Sequence, residues 1–122
     1  MANKYHARKI AVNGETFDSQ REYNRWLKLR LLERAGMIRD LQRQVAFELI
    51  PAQYEWDCCL TDDGRLREKQ KCVERACTYV ADFVYYKGAE KVVEDAKGVR
   101  TEAYRIKRKL MLERHGIRVQ EV

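Results

Sequence analysis

A chain of 122 residues is long enough for one domain with a single modest core. Its residues are 45% hydrophobic and 36% charged, which indicates a globular chain with a strongly charged surface, and its formal net charge of +6 suits a polyanionic partner. No run approaches the roughly 20 apolar residues of a membrane span. Residues 1–14 lack the apolar stretch and cleavage site of a secretory leader, so the expected place is the cytoplasm, with no membrane partner.

Without an export signal, Cys58, Cys59, Cys72 and Cys77 are expected as reduced thiols. An adjacent pair, a gap, and then two cysteines with four residues between them fit no standard zinc spacing, so no zinc site is expected.

In chain order, Lys4 to Phe17 reads as a short hairpin around Asn13-Gly14. Its basic start (Lys4, His6, Arg8, Lys9) is either a phosphate contact or a solvated end. Ser19 to Ala35 is a helix with Tyr23, Trp26, Leu27 and Leu31 as its buried stripe, stopped by Gly36. Ser19 and Glu22 have capping-box spacing, in which Glu22 would bond back to the Ser19 amide. Glu22 also lies one turn before Trp26, at the rim of the buried face, where a site could use it.

Leu41 to Ile50 is the first core strand. Val45, Phe47 and Leu49 alternate inward, Gln44 lies on the other face, and Pro51 ends the strand. Gln44 is either a contact to substrate or water, or an ordinary solvent-facing side chain. Residues 54–74 are the least legible. Tyr54 to Leu60 could continue the strand, Thr61 to Gly64 is a turn, and Arg65 to Lys71 is a charged run. A nucleic-acid flap with Tyr54 or Trp56 stacking on a base is one reading; Trp56 in the core is the preferred one.

Tyr79 to Tyr86 and Lys91 to Lys97 are apolar runs separated by Gly88-Ala89, which suits a two-residue hairpin loop. Lys87 then faces Glu90, and counting outward puts Asp82 opposite Asp95. Asp95 and Lys97 share a face and Glu94 points away; a slip of one residue would put Glu94 in place of Asp95. Facing side chains are roughly 5 Å apart, and like charges so placed destabilise a sheet. A divalent cation such as Mg²⁺ resolves the conflict, since it takes carboxylate oxygens and shares its shell with phosphate. A neighbouring ammonium can orient water or steady charge on that phosphate. Two acids and a lysine are therefore candidate parts of phosphodiester hydrolysis.

Thr101 to His115 is a second helix, capped by Thr101 and stopped by Gly116. Ala103, Ile106, Leu110 and Met111 form its inner stripe. Arg105, Arg108 and Lys109, with Arg100 just before, are placed to hold phosphates. His6 and His115 have no obvious partner. Ile117 to Val122 is a last strand, parallel to Lys91–Lys97 by the crossover rule.

Asp82 followed by Asp95-Ala96-Lys97 resembles the PD-(D/E)xK nuclease signature, with Ala81 where that signature has proline. The wider layout, from Phe17-Asp18-Ser19 through Tyr79–Phe83 and Val93–Gly98 to the terminal strand, resembles the phage and prophage family DUF1064. The resemblance implies a restriction-endonuclease-like, three-layer α/β core of order α-β-β-β-α-β, with a mixed central sheet and an N-terminal hairpin. It further implies a Mg²⁺-dependent DNA endonuclease, with Mn²⁺ able to substitute. Asp82, Asp95 and Glu22 would hold the metal (Glu94 in the slipped register), Lys97 would assist, and Gln44 would touch water or substrate. Arg100, Arg105, Arg108 and Lys109 would bind DNA. Branched or recombination-intermediate DNA is the implied substrate, a junction-resolving homodimer the implied assembly, and the host cytoplasm the implied place. A nicking or end-processing enzyme and a non-catalytic DNA-binding or assembly factor are the alternatives.

Overall fold

The computed structural model describes residues 9–122, so Lys4, His6 and Arg8 of the basic start lie outside the described residues. A hairpin of β1 (Ile10–Val12) and β2 (Glu15–Phe17) comes first. It turns on Asn13 and Gly14, both at positive φ (52° and 80°), as a tight hairpin loop requires. Helix α1 (Gln20–Arg34) starts where the Ser19 hydroxyl accepts the Glu22 amide at 3.1 Å. There follow β3 (Arg39–Ile50), β4 (Gln53–Leu60), β5 (Leu66–Glu74), β6 (Cys77–Lys87) and β7 (Glu90–Asp95). Helix α2 (Glu102–His115) and β8 (Gln120–Glu121) complete the chain. Thr101 caps α2 by accepting the Tyr104 amide, and Gly116 at φ 65° ends it in the left-handed region.

The main sheet is mixed, in the order β3-β6-β7-β8. β3, β6 and β7 pair antiparallel, and β8 pairs parallel with β7, as a strand–helix–strand crossover demands. Each face is covered by one helix. Leu29 of α1 packs with Ile38, Phe83, Tyr85 and Val92. Tyr104 and Met111 of α2 pack with Phe47, Leu49, Tyr79, Ala81, Val84, Val93 and Val119. The result is a small α/β domain in helix–sheet–helix layers. Among the described residues, no helix is long and apolar enough to cross a membrane.

Both expected helical stripes are rotated. On α1, Glu22 and Leu29 are buried, with Trp26 and Leu32 packed beside them, whereas Leu27 and Leu31 are 43% and 65% exposed. The inward line runs through Glu22, which an apolar stripe cannot include. On α2 the buried residues are Tyr104 and Met111, with Leu110 partly covered; Ala103 and Ile106 face out. Tyr104 takes the inner position because its ring closes over Tyr79.

The sheet changes inside for outside part-way along. On β3, Leu41 packs on the α1 side, yet Val45, Phe47 and Leu49 pack on the α2 side. On β6, Tyr79 and Ala81 face α2, yet Phe83 and Tyr85 face α1. Strict alternation would keep each odd-numbered set on one face. The reversal falls between 43 and 45 on β3 and between 81 and 83 on β6, and the register places 44 and 82 opposite each other. Gln44 sits there at φ +53°, left-handed backbone that a non-glycine residue rarely adopts. Gln44 and Asp82 thus stand at a seam between the two apolar cores.

Among the described residues, β4 and β5 form a separate two-stranded ribbon, paired only with each other. It is inserted between the end of β3 and the start of β6, where Ile50 and Cys77 are already paired. Trp56, expected in the core, is 69% exposed on this ribbon. One ribbon face carries Tyr54, Trp56, Cys58 and Leu60 opposite Cys72, Gln70, Glu68 and Leu66. The other sets Glu55 opposite Lys71 and Asp57 opposite Lys69, pairs that suit water.

Candidate active site

The register of β6 and β7 runs Lys87↔Glu90 through Phe83↔Glu94, and its next step sets Asp82 against Asp95. Parallel pairing then sets Asp95 against Glu121. With Gln44 opposite Asp82, a row of polar side chains, Gln44–Asp82–Asp95–Glu121, crosses all four strands of the sheet. Lys97 lies just beyond the row, with its Nζ 3.3 Å from Asp95 Oδ1.

Each acid has its own environment. Asp82 Oδ2 accepts the Ala96 amide at 2.9 Å, and Oδ1 lies 3.3 Å from Gln44 Nε2. Burial, followed by the charge and hydrogen bond of neighbouring Asp95, pushes the Asp82 carboxyl up to about 7; the Ala96 amide and Lys97 oppose the shift. Asp95 is fully buried and accepts the Tyr79 hydroxyl at 2.5 Å, leaving its other oxygen to Lys97. Burial and the Asp95 carboxylate raise the Tyr79 hydroxyl, so it stays a proton donor. The Lys97 ammonium also sits 4.6 Å from the centre of the Tyr104 ring.

Glu22 points at this row from α1. Its Oε2 accepts the Asp18 amide at 2.9 Å, so the capping contact closes on Asp18 rather than on Ser19. Its Oε1 accepts Gln44 Nε2 at 3.0 Å and faces Arg43 at 3.4 Å. Capping and site-facing duties fall on different oxygens of one carboxylate. Burial, with the charge of Asp82 next, raises its pKa. Gln44 therefore bridges Glu22 and Asp82 with one amide nitrogen, which the left-handed backbone at that position presents to both.

Glu94 belongs elsewhere. It takes two hydrogen bonds from Arg25, at 2.8 and 2.6 Å, and one from the Tyr85 hydroxyl, all on the α1 side. Alternation along β7 separates it from Asp95, so the two acids do not compete for one position. The basic residues divide. Arg105 and Lys109 are exposed on α2, whereas Arg100 and Arg108 both bind Glu121, Arg108 at 2.8 Å. Burial would raise Glu121, but the hydrogen bonds from these two arginines hold it below the usual carboxylate range. His115 bonds the Glu48 carbonyl at 2.7 Å and packs edge-on to Phe47, away from the acids.

The oxygen-only donors of Asp82 and Asp95 suit a hard cation such as Mg²⁺. A buried carboxylate, Asp95, against a half-buried one, Asp82, needs a proton or a cation between them, and the high pKa of Asp82 registers that need. Glu22 feels the charge of Asp82 but is tied to Asp18, Arg43 and Gln44. Among the described residues, no group of three His, Cys, Asp or Glu side chains stands in metal-holding geometry. The four cysteines are free thiols.

Tyr79, Arg43, Tyr104 and Glu121 were not singled out for the site by the sequence. Tyr79 was readable as the residue three before Asp82 on a strand, but nothing marks a tyrosine as an acid's partner rather than core. Glu121 depends on the parallel register of β8, which the length of a helical crossover does not fix.

No curated protein and no solved structure matches the chain. The family model described as "Protein of unknown function (DUF1064)" matches residues 2–120. The chain with this row of acids therefore belongs to the DUF1064 family.

Proposed function

We propose that this chain is a metal-dependent DNA endonuclease of the PD-(D/E)xK superfamily with a restriction-endonuclease-like fold. The observation that carries the reading is the contact of Asp82 with Asp95 beside the Lys97 ammonium. The element order, helix α1, antiparallel β3, β6 and β7, helix α2 and parallel β8, supports the fold assignment.

Asp82 and Asp95 would hold Mg²⁺ or Mn²⁺, with the Ala96 carbonyl beside them and Glu22 as a third acid once released from Arg43. Such an ion would neutralise the paired carboxylates and stabilise negative charge on a phosphate. Tyr79 fixes the orientation of Asp95 by donating to one oxygen. Lys97, about a third exposed, donates to a phosphate oxygen or orients the attacking water. Gln44 keeps Glu22 and Asp82 in register with each other. Arg105 and Lys109 bind flanking phosphates, and Arg100 and Arg108 offer the donors that Glu121 leaves free. Branched or recombination-intermediate DNA in the host cytoplasm is the proposed substrate.

A second reading, a non-catalytic DNA-binding or assembly factor, draws on the absence of a three-acid group among the described residues. Incubation of linear, nicked and four-way-junction DNA with Mg²⁺, Mn²⁺ or EDTA separates the two. The nuclease reading expects metal-dependent cleavage. In Lys97→Ala it expects a loss of about 10²-fold or more with DNA binding near normal. Unchanged cleavage by that variant removes Lys97 from the mechanism, and binding without cleavage in every metal leaves the second reading.

A further inference from the structure

We propose that the apolar face of the β4–β5 ribbon is where two copies of this chain associate. This is independent of the nuclease reading. A lone two-stranded ribbon is marginal in water unless something covers it. Here nearly every residue of β4 and β5 is exposed. The exposure is not evenly shared between the faces. One face is dressed for solvent by the facing pairs Glu55–Lys71 and Asp57–Lys69. The other presents Tyr54, Trp56, Leu60 and Leu66, exposed by 57%, 69%, 72% and 76%.

Charge decides against a polyanion as the occupant. Residues 53–74 hold six acidic and four basic side chains, so the ribbon is net negative within a chain of net charge +6. A nucleic acid would meet repulsion there and attraction on the remainder. From Tyr54–Cys72 to Leu60–Leu66 this face carries one charged side chain, Glu68, so a second largely apolar surface fits it best. The same face on another copy is such a surface. A two-fold axis through the middle of the ribbon sets the Leu60–Leu66 tip of one copy against the Tyr54 end of the other, and Glu68 against the Gln70 row. Two ribbons stacked this way form a small two-layer sandwich.

The area sets the strength. Two aromatic and two leucine side chains remove on the order of 500 Å² per copy, about 1,000 Å² in all, which is near the lower bound of specific association. A reversible dimer follows, not a permanent one.

Sedimentation equilibrium of the full chain, at concentrations spanning the micromolar range, tests this. The unmodified chain is expected to pass from monomer to dimer. Trp56→Glu is expected to raise the dimer dissociation constant about 30-fold or more, and Trp56→Glu with Leu66→Glu to leave only monomer. Lys69→Glu, on the opposite face, is expected to keep the dimer. Circular dichroism melting of each variant checks that the fold is intact, which substitution of exposed residues should preserve. A chain monomeric throughout, a dimer that survives the double substitution, or a ribbon whose Trp56 fluorescence responds only to a different protein or to DNA would overturn the proposal.

Discussion

Asp82 holds its proton to about pH 7 because burial and Asp95 both penalise its ionised form. Its carboxyl is therefore higher in the folded chain than in the unfolded chain. Between about pH 4 and 7 the unfolded chain has released this proton while the folded chain keeps it, so stability falls as pH rises through that window. Melting in EDTA should show that decline, and Asp82→Asn should flatten it. Glu94 has a structural part instead, because Arg25 and Tyr85 already satisfy it. Arg25→Met strands a fully buried carboxylate and should cost about 3 kcal/mol or more by urea unfolding. Glu94→Gln should cost less, since Arg25 is about a fifth exposed and can turn to water. Under the proposed nuclease reading, neither substitution should change cleavage per folded molecule, which would place Glu94 in the frame and not in the chemistry.

Elements with a strong local signal were legible. The β6–β7 hairpin turns at Gly88, whose φ of 64° a glycine supplies without strain, and its register set Asp82 against Asp95 by counting alone. Gly36 and Gly116 likewise marked helix ends. What could not be read is the reversal at Gln44, because glutamine is not a residue that advertises left-handed backbone. The helical stripes went astray for a related reason: the inward line of α1 includes an acid, and an apolar template steps over it. Trp56 was misplaced because a bulky aromatic is assigned to the core unless its whole element is known to project. The seam offers a direct test. A β-branched residue normally favours a strand, yet Gln44→Val should destabilise the fold by about 1–2 kcal/mol, since it must hold φ +53°. Denaturant midpoints would show it; a stabilised variant would mean the backbone there relaxes freely.

At the scale of the molecule, the four-stranded sheet and its two helices form a body, and the ribbon is an insertion into it. Ile50 and Cys77 already face each other across β3 and β6, so a tight Asn-Gly turn in place of residues 51–76 should close the gap. The shortened chain is expected to melt within a few degrees of the full one and to sediment as a monomer; an unfolded product would show that the ribbon supports the body. The polar row that crosses the sheet lies wholly within that body. Charge is divided along the same boundary, since the ribbon is net negative and the remainder carries all of the positive excess. The chain is thus an electric dipole as well as a cation. Near a strongly negative surface it experiences a torque before any contact is made, and arrives with its body leading and its ribbon trailing.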